Sequence, residues 1–143
     1  MIHANLIGQP KESLDTPALL VDLEVLERNI DRMAGTIIRD AGVQWRPHTK
    51  SMKTPALAHM LLRAGASGIT CAKLGEAEVM AAAGIRDILI ANQIVTKQKI
   101  ERLANLRKQA DVMVAVDCVE NVDTLNRAAI DQGVRLRVLI EVN

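Results

Sequence analysis

The stretch DILIANQIVTKQKIERLANLRKQADVMVAV, residues 87–116, decides the fold class. It opens on the apolar run Ile88-Leu89-Ile90-Ala91 and closes on Val112-Met113-Val114-Ala115-Val116, with a helical segment at 97–109 between them. Uninterrupted apolar runs suit parallel strands covered on both faces better than half-exposed antiparallel ones. The unit is therefore strand, helix, parallel strand.

The same unit extends outward in both directions. Toward the C-terminus, 111–116 reads as a strand, 120–132 as a helix and 135–142 as a final strand. Toward the N-terminus, 68–71 is a short strand, and 75–83 is a helix that Gly84 ends. Val43 and Trp45 give 43–50 strand character, after which Thr54-Pro55 opens a helix with a capping residue and a proline at its first position. Leu57, Met60, Leu61 and Ala64 form the inward face of that helix, and Gly65 ends it. Before it, the apolar run 18–21 reads as a strand closed by Asp22. Leu23, Leu26, Ile30, Met33, Ile37 and Ile38 then recur at helical spacing, with Asp22 as N-cap and Gly42 as terminator. Units begin about every twenty residues without a sequence repeat, so the regularity is architectural.

Two architectures accept this series: a doubly wound open sheet, and the first part of an eightfold barrel. No G-x-G-x-x-G or G-x-x-x-x-G-K motif follows the first strand, and the chain stops at Asn143 directly after a strand. Trp45 is its single aromatic residue. These features favour the first part of a TIM-like (β/α) barrel, truncated after a barrel strand.

Composition excludes several functions. Of 143 residues, 49% are apolar, enough for a sizeable core, and 18 Lys and Arg nearly balance 17 Asp and Glu. Without a basic run interleaved with aromatics, nucleic acid is not an expected partner. No apolar stretch reaches membrane-spanning length, and residues 1–10 lack the pattern of a secretory signal, so a cytoplasmic protein with no membrane partner is expected. Cys71 and Cys118 stand far apart, outside any metal spacing, and read as buried free thiols.

Alternation along the 43–50 strand sends Arg46, His48 and Lys50 to one side and Trp45, Pro47 and Thr49 to the other. Lys50 stands at the carboxyl end of that strand, which in a barrel is the mouth where active sites are built. Positive charge from Arg46, His48 and Lys53 near Lys50 favours the neutral amine that can attack a carbonyl. A solvated loop lysine is the other reading. Lys53, just before the Thr54 cap, and Lys73, after a strand, are competing amines, though Lys73 also suits a structural partnership with Glu76 or Glu78. Asn92-Gln93 ends a strand and suits hydrogen bonds to a ligand or a turn. Glu141 and Asn143 share a face, and a buried Glu141 would pair with a cation such as Arg46. Asp117 and Asp22 suit helix caps, His59 a solvated helix face, and His3 carries no signal.

Arg46-Pro47-His48-Thr49-Lys50 resembles the R-P-H-x-K segment of the D-threonine aldolase and D-serine dehydratase family, pyridoxal phosphate enzymes of the alanine racemase fold type. Asp15-Thr16-Pro17-Ala18-Leu19-Leu20-Val21-Asp22 resembles the family's opening. Ile69-Thr70-Cys71-Ala72-Lys73 with Glu76-Ala77-Glu78, then Ile88 to Asn92 and Ile140 to Asn143, continue the likeness in order over nearly the whole chain. The resemblance implies that Lys50 carries pyridoxal 5'-phosphate, that His48 and Arg46 line the pocket beneath it, and that Asn92 contributes to cofactor binding. It implies retro-aldol cleavage of a D-3-hydroxy amino acid to glycine and an aldehyde. Dehydration in the manner of D-serine dehydratase, racemisation, and cofactor binding without turnover are the alternatives. It further implies a homodimer and a divalent metal, manganese or similar, held by residues of a C-terminal β-domain outside this chain. The arginine on the cofactor and its phosphate site would also lie beyond Asn143. On the same basis residues 1–14 form an N-terminal segment that packs with that absent domain, and 15–143 the first part of the cofactor-binding barrel. Relatives often carry histidine two residues after the cofactor lysine, where this chain has Met52, which can neither act as a base nor donate a hydrogen bond.

Overall fold

The computed structural model describes residues 6–142. Helix α1, Leu23–Ala34, continues into a π-helical segment, Gly35–Asp40, and is followed by α2, Pro55–Arg63. From there strands and helices alternate: β1 Ile69–Cys71, α3 Leu74–Ala82, β2 Asp87–Gln93, α4 Lys97–Arg107, β3 Asp111–Val116, α5 Val119–Asp131 and β4 Arg137–Ile140. The sheet runs β1-β2-β3-β4 with every pair parallel, as the continuous apolar runs predict.

This order, with the placement of the helices, separates the two candidate architectures. A doubly wound sheet reverses strand order at a switch point and carries helices on both faces. Here each new strand joins the same edge. Ile69 and Cys71, Ile88 and Ile90, and Val112, Val114 and Val116 all face one core, shared with Ala58 of α2, Met80 of α3, Leu103 of α4 and Leu125 of α5. One face thus takes α2, α3, α4 and α5. The alternate residues, Thr70, Leu89, Met113, Ala115 and Leu139, face the other side, which is the inside of a barrel. The parallel α/β barrel segment expected from sequence is the one observed.

A second apolar cluster seats the N-terminal helices. Ile30, Ala34, Trp45, Leu61 and Ala66 form it, with Leu26, Ile37, Ile38 and Met52 packed around them. Asp22 caps α1 by accepting from Val25 N at 3.0 Å, and Gly42, at φ 65°, ends the run as expected. Leu23 and Met33, expected on the inward stripe, are instead exposed.

Several expectations are corrected. Residues 18–21 form no strand, and Leu19, Leu20 and Val21 lie exposed. An apolar run becomes a strand only when a neighbour pairs its backbone groups, and none of the described residues does. The 43–50 segment is extended but contributes one regular bridge, His48 to Thr70, because β1 beside it has three residues. Thr70 N to Pro47 O (2.8 Å) and Thr49 N to Thr70 O (2.8 Å) form that bridge, and Ser67 N to Trp45 O (2.9 Å) adds a further backbone contact. Thr54 does not cap α2, since its hydroxyl donates to Met52 O at 2.7 Å. His59 is not free in solvent, because its Nε2 lies 2.9 Å from Ala83 O at the end of α3. Cys71 is buried as expected, but Cys118 is exposed. His3 and Asn143 lie outside the described residues.

Candidate active site

The 43–50 segment sorts its residues by parity. Trp45 packs into the second apolar cluster, and Thr49, fully buried, donates its hydroxyl to Thr70 O at 3.0 Å on the helix side. Lys50 is exposed at the carboxyl end of the segment, with no ion-pair partner among the described residues. His48 is half-buried one turn of the pleat below, and its Nδ1 accepts from Lys50 N at 3.2 Å. That contact puts Nδ1 in the acceptor role and leaves Nε2 as the ring's free donor.

Arg46 lies elsewhere than expected. Its guanidinium binds Asp87 through both oxygens, at 2.9 and 3.0 Å. Asp87 is the first residue of β2, so this pair sits at the amino ends of the strands. Four residues of extended chain separate Arg46 from Lys50, about 13 Å at the usual rise. Its charge is therefore spent at the floor of the barrel and does not act on Lys50, and it does not reach Glu141. Gly68 makes the pair fit, since a Cβ there would stand 2.6 Å from Asp87 O and collide with the Arg46 guanidinium. Asp111, next along the floor, pairs with Arg107 at 3.1 Å and with Arg137.

The competing lysines are engaged otherwise. Lys53, at φ 46°, lies 3.9 Å from Glu76, and Glu76 also accepts from Ala72 N (2.8 Å) and Lys73 N (3.3 Å), which closes the first turn of α3. Glu78 pairs with Arg102 instead of Lys73. Met52, where relatives often have histidine, turns into the second apolar cluster. The polar atoms of Asn92 are engaged locally: its amide donates to Ala72 O at 3.4 Å, and its oxygen accepts from Gln93 N at 3.0 Å. A cleft of about 430 Å³ opens beside it, with Lys73, Gly75, Gln93 and Lys99 in its wall.

Three residues read as minor from sequence join this end of the barrel. Gln93 donates from its amide to Asp117 Oδ2 at 3.1 Å and to Glu141 Oε2 at 2.7 Å. Asp117 thus does not cap α5, whose N-cap is Cys118, and Glu141 finds an amide where a cation was expected. The sequence signal for this cluster was positional, each member lying at or just beyond a strand's carboxyl end, but which polar ends meet depends on register. The carboxyl end therefore presents a free primary amine, an imidazole with an open Nε2 and a set of carboxylates and amides.

The chain is 38% identical over 136 residues to the D-threonine aldolase of Arthrobacter sp., covering 95% of this chain and 36% of that protein. It is 38% identical over 138 residues to the 3-hydroxy-D-aspartate aldolase of Paracoccus denitrificans, covering 95% and 35%. The crystal structure of D-threonine aldolase from Filomicrobium marinum superposes with a TM-score of 0.87 at 43% identity, over 90% of this chain and 35% of that one. The chain thus spans about a third of the length of these relatives. The family described as alanine racemase, N-terminal domain, matches residues 21–143. With that match covering most of its length, the chain belongs to the alanine racemase N-terminal domain family.

Proposed function

We propose that this chain is the lysine-bearing part of a pyridoxal phosphate-dependent lyase that cleaves D-3-hydroxy amino acids to glycine and an aldehyde, with Lys50 as the cofactor lysine. The observation that carries the reading is the exposed Lys50 amine, without an ion-pair partner among the described residues, at the carboxyl end of the extended 43–50 segment, in a chain 38% identical to a D-threonine aldolase. Bound at Lys50, the cofactor would supply an electron sink for the charge left at Cα when the Cα–Cβ bond breaks. His48 steadies the backbone of Lys50 through Nδ1, which leaves Nε2 as the ring's donor. Asn92 holds the ends of β1 and β2 together, which supports the cofactor's surroundings.

The divalent metal of the reading is assigned to residues outside this chain. Among the described residues no group of three or more His, Cys, Asp or Glu is placed to hold one. No described helix is long and apolar enough to cross a membrane. The proposed setting is a cytoplasmic homodimer.

The test is an absorption spectrum with pyridoxal phosphate before and after borohydride, beside Lys50→Ala. Covalent fixation in the wild type and its loss in the variant are expected; equal fixation in both would assign the cofactor to another lysine. D-Threonine should then give aldehyde. Keto acid from D-serine would indicate dehydration instead, and the L-enantiomer racemisation.

A further inference from the structure

Lys50 is the second residue of a closed turn. Lys53 N donates to Thr49 O at 2.8 Å, which bends the chain back directly after the lysine. Lys53 completes the turn at φ 46°, the one non-glycine among the described residues with a left-handed backbone. Such a conformation persists only where its surroundings hold it. Met52 packs into the second apolar cluster, and Glu76 stands 3.9 Å from Lys53 Nζ. Thr49 anchors the other end. Thr70 O accepts both its backbone N–H, at 2.8 Å, and its hydroxyl, at 3.0 Å. With that proton committed, the thiol of Cys71 is the donor in its 3.6 Å contact with Thr49 Oγ1. Thr49 and Cys71 are fully buried, so water cannot take over either bond. Alternation puts the hydroxyl on the helix side, away from Lys50, so it acts on the amine only through the backbone.

We propose that Thr49 is a positioning residue for Lys50: its hydroxyl ties the 49–53 turn to β1, so that the amine is set in place before the cofactor arrives. The inference rests on the reading of Lys50 as the cofactor lysine. The anchor itself is made entirely within residues 49–71. Without the hydroxyl the turn spends part of its time in arrangements that cannot couple, and the apparent affinity for the cofactor falls by the fraction lost. One buried hydrogen bond sets that loss at roughly three- to tenfold.

The test titrates the full chain with pyridoxal phosphate and reads the absorbance of coupled cofactor, with borohydride and peptide mapping to place it on Lys50. Thr49→Val keeps the shape, removes the hydroxyl and should weaken coupling about three- to tenfold. Thr49→Ser keeps the hydroxyl and should stay within about twofold of the wild type. Ile100→Val, a buried change on α4, lowers stability without touching the turn and should leave coupling unchanged. Unchanged coupling in Thr49→Val, equal weakening in Ile100→Val, or a serine variant as weak as the valine one overturns the inference. Hydrogen exchange of the wild type needs no variant. The Lys53 amide, which closes the turn, should be protected before cofactor is added, and loading should alter its rate by less than about threefold. Protection that arises only on loading would mean that the cofactor builds the turn, and overturns the inference too. In all these cases Lys50 still takes the cofactor and the proposed function stands. No cofactor fixed at Lys50 in the wild type overturns both.

Discussion

Replacing Gly68 with alanine tests the floor of the barrel. The added methyl would stand 2.6 Å from the backbone oxygen of Asp87, against an ordinary C···O approach of about 3.3 Å or more. That oxygen cannot retreat freely. Asp87 is paired with Asp111 of β3, its neighbour Ile88 with Ile69 of β1, and Arg86 O accepts from Asp111 N at 2.7 Å. Overpacking of this kind costs about 1–3 kcal/mol. The methyl also displaces Arg46 from Asp87; with these side chains 21% and 35% exposed, solvent screening holds that loss to about 1 kcal/mol. Reduced freedom of the unfolded chain returns about 0.5–1 kcal/mol. The net destabilisation is about 1–3.5 kcal/mol, a drop of about 3–14 °C in Tm for a domain of this size. Thermal unfolding followed by circular dichroism reads it directly. In an Arg46→Ala background the same glycine substitution should cost about 1 kcal/mol less, because one of its two obstacles is gone. A change below about 0.5 kcal/mol, or equal cost in both backgrounds, would refute the steric account.

Asp22→Ala removes the oxygen that accepts from Val25 N, and should lower stability by about 1 kcal/mol in urea unfolding, whereas Asp22→Asn should retain most of it. In native protein a thiol reagent should modify exposed Cys118 at once and fully buried Cys71 only on unfolding; equal rates would show that the core opens at Cys71. Burial, opposed in part by the Thr49 hydroxyl and aided by the Glu76 charge, pushes the Cys71 thiol above its ordinary value near 9.0. The folded state therefore keeps this proton where the unfolded state loses it, so the contribution is complete below about pH 9 and fades as pH rises through the folded value. The urea midpoint should accordingly fall more steeply above pH 9 in the wild type than in Cys71→Ala, and parallel slopes would remove Cys71 as the cause.

Much of the fold was legible without coordinates. The strand expected at residues 111–116 is β3 residue for residue, and the Asp22 cap and Gly42 stop stand where helical spacing put them. These features are local. Periodicity, capping and left-handed stops are decided within a few neighbouring residues, and continuous apolar runs already require cover on both faces. The placement of Lys50 at the carboxyl end of the extended 43–50 segment follows from the same counting.

Tertiary structure decided what depends on partners. The apolar run 18–21 reads like the others, yet it finds no neighbour among the described residues and stays unpaired. Alternation correctly separated Arg46 from Trp45, but only the register between the 43–50 segment and β2 could give Arg46 to Asp87, 41 residues away, instead of to Lys50 or Glu141. A two-residue bulge, invisible to any pattern of apolar residues, brought Gln93 onto Asp117 and Glu141. Sequence by itself determined the 111–116 strand, the Asp22 cap and the Gly42 stop, because those depend on local spacing; only the packed sheet decided which apolar runs find a strand partner and which charges meet, because that depends on register between distant segments.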